Sequence, residues 1–167
     1  MLESMQSVAV YCGSATGDSP AYTQAAQELG TELARRGLTL VYGGGNIGLM
    51  REVAEACLAA GGTVTGVMPQ SLVDLEISHP GLTTLEVVGS MAERKTRMEQ
   101  LADAYICLPG GVGTLEELTE QWTWAQLGIH QKPVGLLNID GYFDPLLAFV
   151  ANMRDRGFTH PRYTDML

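Results

Sequence analysis

Basic residues are scarce in this chain: ten Lys plus Arg stand against 19 Asp plus Glu, a formal charge of -9. A surface of that sign repels duplex phosphate instead of releasing its counterions, which removes nucleic acid from the expected partners. Cysteine is scarce too. Cys12, Cys57 and Cys107 lie far apart inside apolar segments, with neither the close pairs of a zinc site nor the even count of a disulfide scaffold, and they read as reduced core thiols. The histidines His79, His130 and His160 show no metal-ligand spacing and suggest no Ser-His-Asp arrangement, so no metal is expected. No apolar run approaches the roughly 20 residues that span a bilayer, and the opening MLESMQS lacks the basic and apolar regions of a signal peptide. These absences predict a cytoplasmic protein without a membrane partner.

What is present is globular: 167 residues with 46% hydrophobic side chains suffice for one well-filled core, so a single domain over residues 1–167 is expected. Short β-rich runs recur at SVAVYC (7–12), LTLVY (38–42), TVTGVM (63–68), TTLEVV (83–88), AYICL (104–108) and PVGLLNI (133–139). Helical patterns alternate with them, several closed by the glycine that ends a helix. Strict alternation predicts an α/β fold, a Rossmann-like three-layer sandwich with a mostly parallel sheet flanked by helices. Ligands in such folds bind beyond the carboxyl ends of the strands. The candidate segments are therefore GSATGDS after Cys12, GGGNIG after Tyr42, PQSLVDLEIS after Met68 and PGGVGT after Leu108. The aperiodic stretch from Pro69 to Pro80 has the character of a lid or binding loop.

Two glycine-rich loops carry the strongest chemistry. GGGNIG, with Gly43, Gly44 and Gly45, and PGGVGTL, with Gly110, Gly111, Val112, Gly113, Thr114 and Leu115, each join a strand to a helix. Unpaired backbone N–H groups and the helix dipole favour an anion there, and glycine permits its close approach. One such loop is as readily a tight turn; two together point to a phosphorylated ligand. Neither is a standard nucleotide motif: a Walker loop needs Lys after its last Gly, whereas Gly113 is followed by Thr114 and Leu115, and GGGNIG does not fit the dinucleotide spacing. In MAERKTRM (91–98), Arg94, Lys95 and Arg97 concentrate three of ten basic residues on one helix; they form either a solvated face or a receiver for an anion that the rest of the surface repels. Glu116 and Glu117 open the helix after GGVGT. Either is a plausible dipole partner, but adjacent helix positions diverge by about 100°, so one can face the cleft while the other turns away. Trp122, Trp124, Leu118 and Leu127 make an apolar stripe, as do Met91, Met98 and Leu101; a surplus apolar face on either helix favours a homodimer.

These residues resemble the Lonely Guy (LOG) family, cytokinin riboside 5'-monophosphate phosphoribohydrolases often mislabelled lysine decarboxylases. PGGVGTLEE fits the family's PGGxGTxxE signature, and YCGS, VYGGGNIGLM, MPQSL with Glu76-Ile77, SMAERKTRM and WTWAQLGIHQKPVGLLN extend the likeness over nearly the whole chain. The family commonly has His where Ala92 stands and Gly where Arg51 stands. Ala92 leaves Arg94 and Lys95 intact, whereas Arg51 is expected to alter packing at its helix. Relatives continue into another helix where this chain stops at Leu167, so that element is expected to be missing.

The resemblance implies catalytic roles for Arg94 and Glu117. It implies substrate binding by Glu76, Lys95, Met91, the run Gly110 to Glu116 and Thr123, with Gly43, Gly44 and Gly45 lining the same cleft. The implied reaction is hydrolysis of the N-glycosidic bond between an N6-modified adenine and ribose 5'-monophosphate, with a small-molecule nucleoside 5'-monophosphate as partner and no cofactor. A broader AMP nucleosidase-like hydrolase shares every motif. A non-catalytic nucleotide-binding module needs only the two loops and leaves Arg94 and Glu117 unexplained. Lysine decarboxylation needs a pyridoxal-binding Lys with partner groups, and Lys95 and Lys132 are the chain's only lysines.

Overall fold

Alternation along the first strand decides what each side of the sheet receives. Val8 and Val10 belong to one apolar cluster and Ala9 and Tyr11 to the other, because successive strand side chains point to opposite faces. The same split divides Leu40 and Tyr42 from Val41, and Ala104 and Ile106 from Tyr105 and Cys107. In the computed structural model, which describes residues 4–75 and 77–167, the strands are β1 (Ser7–Tyr11), β2 (Thr39–Tyr42), β3 (Val64–Pro69), β4 (Thr84–Val88), β5 (Ala104–Cys107) and β6 (Val134–Leu136). They lie in the order β4-β3-β2-β1-β5-β6, and every pairing is parallel. Both faces are therefore covered, as a parallel sheet requires.

Helices α1 (Pro20–Arg35) and α2 (Gly48–Ala59) supply Ala26, Leu33, Leu49, Val53 and Cys57 to one face. On the other, α4 (Met91–Leu101) contributes Met98 and α5 (Val112–Gln126) contributes Leu118, each burial stabilising by roughly 1.5–3 kcal/mol. The short α3 (Gln70–Val73) follows β3, and α6 (Asp144–Asp155) and α7 (Pro161–Thr164) follow β6. Among the described residues no helix is long and apolar enough to cross a membrane.

The stretch read as aperiodic between Pro69 and Pro80 opens with the single turn of α3, too short to leave a periodic signal. Its far end is tied down. Ser78 bridges Gly45, the Asn46 amide donates to the Ile77 carbonyl at 3.0 Å, and the His79 amide donates to the Gly44 carbonyl at 2.8 Å.

The chain steps outward from β1 to β4 and then crosses to β5 on the other side of β1. The loops after β1 and β5 thus diverge at the switch in strand order, where open α/β sheets bind ligands. Arg51, expected to alter packing at α2, instead lies exposed and reaches Glu52 at 3.3 Å; the solvent side of the helix accommodates it.

Candidate active site

Helix α4 is set rigidly. Its N-cap Ser90 accepts from the Glu93 amide at 3.1 Å, and the Glu93 carboxylate accepts from the Gly89 amide at 2.6 Å, a variant of the reciprocal Ser-x-x-Glu cap. One turn in, Arg94 extends beneath the carboxyl ends of β2 and β3. Its Nε donates to the Val67 carbonyl at 2.9 Å, its Nη2 to the Gly43 carbonyl, and its Nη1 lies 3.7 Å from the Met91 sulfur. A side chain at Gly43 would occupy the position of the guanidinium, so this residue type is required for the arginine to seat. Burial lowers the Arg94 pKa, opposed by the neighbouring Glu117. A guanidinium with two donors tied to fixed carbonyls has little freedom left; its remaining N–H groups are aimed in advance.

Helix α5 contrasts with α1 and α4, which serine side chains cap. Its N-cap is Gly111, which offers no side chain, and among the described residues no protein group accepts from the amides of Gly111, Val112, Gly113 or Thr114. Those are the orphan donors of a helix start, at the positive end of its dipole. Thr114 is buried, with its Oγ1 where a side chain at Gly110 would fall. The arrangement can receive an anion.

Glu117, one turn in, is half-buried near Tyr11, Cys12 and Cys107 at the ends of β1 and β5. Desolvation raises its pKa from 4.5 to about 7, and Arg94 works in the opposite direction. A carboxyl titrating near neutrality can exchange protons at working pH. Its neighbour Glu116 turns outward and pairs with Lys95 of α4, which also reaches Glu120 at 2.9 Å. Divergence of adjacent helix positions thus gives the two glutamates separate environments.

Several expected site residues converge: Gly43, Met91 and Arg94 touch, Lys95 and Glu116 pair, and Glu117 couples to Arg94. Gly44 and Gly45, expected to line the cleft, are buried in the packing of their own loop. Gly44 has φ +80°, and a Cβ there would meet Leu85, Met68 and Gly66; a Cβ at Gly45 would run into Met50, and the Gly45 carbonyl accepts from the Tyr42 hydroxyl at 2.8 Å. Val112 and Leu115 are exposed at the head of α5, as is Met91 at the head of α4. Thr123 stands apart. It is exposed, with its hydroxyl on the Thr119 carbonyl at 2.6 Å, about 13 Å along the helix from Thr114 at 1.5 Å per residue. Glu76 lies outside the described residues.

Arg97, grouped by sequence with Arg94 and Lys95, is instead paired with Glu86 of β4. Tyr11, not among the expected site residues, is buried near Glu117; its place at the carboxyl end of β1, on the face that α5 covers, is the signal that marks it. Among the described residues no group of three or more His, Cys, Asp or Glu side chains could hold a metal ion.

The family model described as "possible lysine decarboxylase" matches residues 50–167. A probable cytokinin riboside 5'-monophosphate phosphoribohydrolase of Oryza sativa subsp. japonica is 53% identical over 156 residues, covering 93% of this chain and 69% of that protein. A cytokinin riboside 5'-monophosphate phosphoribohydrolase of Arabidopsis thaliana is 51% identical over 154 residues, covering 92% and 71%. Among solved structures, the molybdenum cofactor binding protein of Rippkaea orientalis superposes with a TM-score of 0.71 at 26% identity, covering 91% of this chain and 87% of that one.

Proposed function

The chain belongs to the Lonely Guy (LOG) family, and from that premise we propose that it hydrolyses the N-glycosidic bond of an N6-modified AMP, releasing the free base and ribose 5-phosphate. The observation that carries the reading is geometric: Glu117 stands one turn behind an uncapped helix start and near an Arg94 whose guanidinium two carbonyls hold, and desolvation pushes its pKa up to about 7. Phosphate binds the amides of Gly111 to Thr114 and the Thr114 hydroxyl, which fixes the ribose while chemistry takes place at its far carbon.

At that carbon the bond to the purine nitrogen breaks, and its electron pair leaves with the base. Positive charge develops on the sugar, and the Glu117 carboxylate lies against it. Water adds to C1' and gives its proton to Glu117, whose raised pKa suits a base operating near neutrality. Arg94 remains cationic at any working pH, so it orients the substrate and stabilises the departing purine anion through hydrogen bonds, and the anion becomes the free base by taking a proton from water. The base runs along the face of α5 that carries Glu116, Glu120 and Thr123, with Lys95 holding the first two in place. The family pattern assigns Glu76 to substrate binding. The exposed apolar side chains Met91, Val112, Leu115, Leu127 and Ile129 support a homodimer.

Base release from AMP and from its N6-isopentenyl derivative tests the reading. Faster turnover of the prenylated nucleotide is expected, and equal rates would favour a general AMP nucleosidase. The likeness in fold to a molybdenum cofactor binding protein favours one further alternative, a non-catalytic binding module. Detection of free base and ribose 5-phosphate rejects it.

A further inference from the structure

The amides at the head of α5 are open to a ligand only if no carbonyl of the protein takes them. Were α5 to run back through Gly110 and Gly111, the Thr114 amide would donate to the Gly110 carbonyl four residues earlier. It does not do so. The Gly110 carbonyl instead accepts from the hydroxyl of Tyr142, a residue 32 positions later, at the turn that precedes α6. Because a trans peptide points its C=O and N–H in opposite directions, a Gly110 carbonyl drawn toward Tyr142 sends the Gly111 amide away from it. The adjoining backbone is extended, with Gly111 at φ -95° and ψ -154°.

Tyr142 is itself well placed to hold that carbonyl. Its ring meets Tyr22 edge-on at 6.0 Å and Phe143 at 5.2 Å, and Tyr22 fills the space beside Gly17 in the loop after β1. The turn beneath it is fastened by the side chain of Asn138, whose Oδ1 accepts from the Phe143 amide at 2.8 Å and whose Nδ2 donates to the Asp144 carboxylate at 2.7 Å. Tyr142 and Tyr22 wall one side of a cavity of about 280 Å³, together with the loop after β1 and Pro109 to Gly111.

We propose that Tyr142 is a positioning residue for the phosphate-binding loop: its hydroxyl holds the Gly110 carbonyl out of α5, which leaves the Gly111 and Thr114 amides free for the substrate phosphate. This rests on the phosphate site proposed above. It adds a residue from the β6–α6 connection that touches no reacting atom and acts through the loop.

Tyr142→Phe removes the hydroxyl and keeps the ring packing. Binding of ribose 5-phosphate, measured by calorimetry so that no turnover is needed, is expected to weaken roughly tenfold, the scale of one hydrogen bond. KM for the nucleotide is expected to rise by the same factor with kcat within about threefold, while binding of the phosphate-free nucleoside stays unchanged. A merely structural hydroxyl would weaken nucleotide and nucleoside alike, in step with the melting temperature, and that pattern would overturn the proposal. So would ribose 5-phosphate affinity within twofold of wild type. If wild-type protein itself binds no ribose 5-phosphate, the phosphate site fails first, an outcome distinct from failure of Tyr142 alone.

Discussion

Replacing Glu117 with Gln is expected to make the protein more stable and less active at once, and the size of the gain depends on pH. Desolvation holds this carboxyl at about 7 against its ordinary 4.5, so the folded chain binds the proton more tightly than the unfolded chain does. The stability associated with the protonated form is complete below about pH 4.5. It is lost as the pH rises through about 7, and above that the half-buried carboxylate costs the fold up to about 3 kcal/mol. Glu117→Gln preserves the shape and abolishes the titration. Near pH 5 the variant should exceed wild type by about 1 kcal/mol, and at pH 8 by about 3 kcal/mol, or roughly 6–12 °C in melting temperature for a chain of this size. Over the same range wild-type kcat/KM should fall tenfold per pH unit below about 7, as the carboxylate form disappears. Melting curves for both proteins from pH 5 to 8, alongside a pH–rate profile, provide the assay. A melting difference that stays constant over that range would refute the reasoning, because it would mean that the carboxyl is not desolvated.

Arg94→Met leaves the Val67 and Gly43 carbonyls without their donor and removes the charge that draws the Glu117 pKa down. Steady-state kinetics should show a loss of about 100-fold or more in kcat/KM, and a pH titration of Glu117 should show its midpoint moving up. Gly43→Ala places a methyl group where the guanidinium lies; activity should fall nearly as far as in Arg94→Met while circular dichroism retains the α/β spectrum. Lys95→Ala leaves Glu116 and Glu120 facing each other without a cation. Because Glu116 is exposed, the change in stability measured by denaturant titration should stay below about 1 kcal/mol, with the effect appearing in the KM for nucleotide.

The strands were legible because each is a run of apolar, β-favouring residues between glycine-marked turns, and the parallel architecture follows from their alternation with helices. What could not be read was whatever depends on distance between segments. Arg97 stands two residues after Lys95 in the chain, yet two rotations of about 100° put it on the other side of α4, where it meets Glu86 of β4. Gly44 and Gly45 share a motif with Gly43, but only Gly43 meets Arg94; the other two are used up in packing against β3 and α2. Glu116 had two readings on helix geometry alone, and a lysine 21 residues away decides between them. Tyr142 gave no local signal at all, since its partner carbonyl lies in a different βα unit.

The central claim is that one substrate is held at two ends, its phosphate on the open amides of α5 and its anomeric carbon at Glu117. The ratio of kcat/KM for an N6-modified nucleoside 5'-monophosphate to that for the same nucleoside without phosphate, followed by release of the free base, measures it directly. The account predicts a ratio of about 1,000 or more in wild-type protein, with base release from the nucleotide abolished in Glu117→Gln although the nucleotide still binds. Comparable cleavage of nucleotide and nucleoside, or undiminished release by Glu117→Gln, would contradict it.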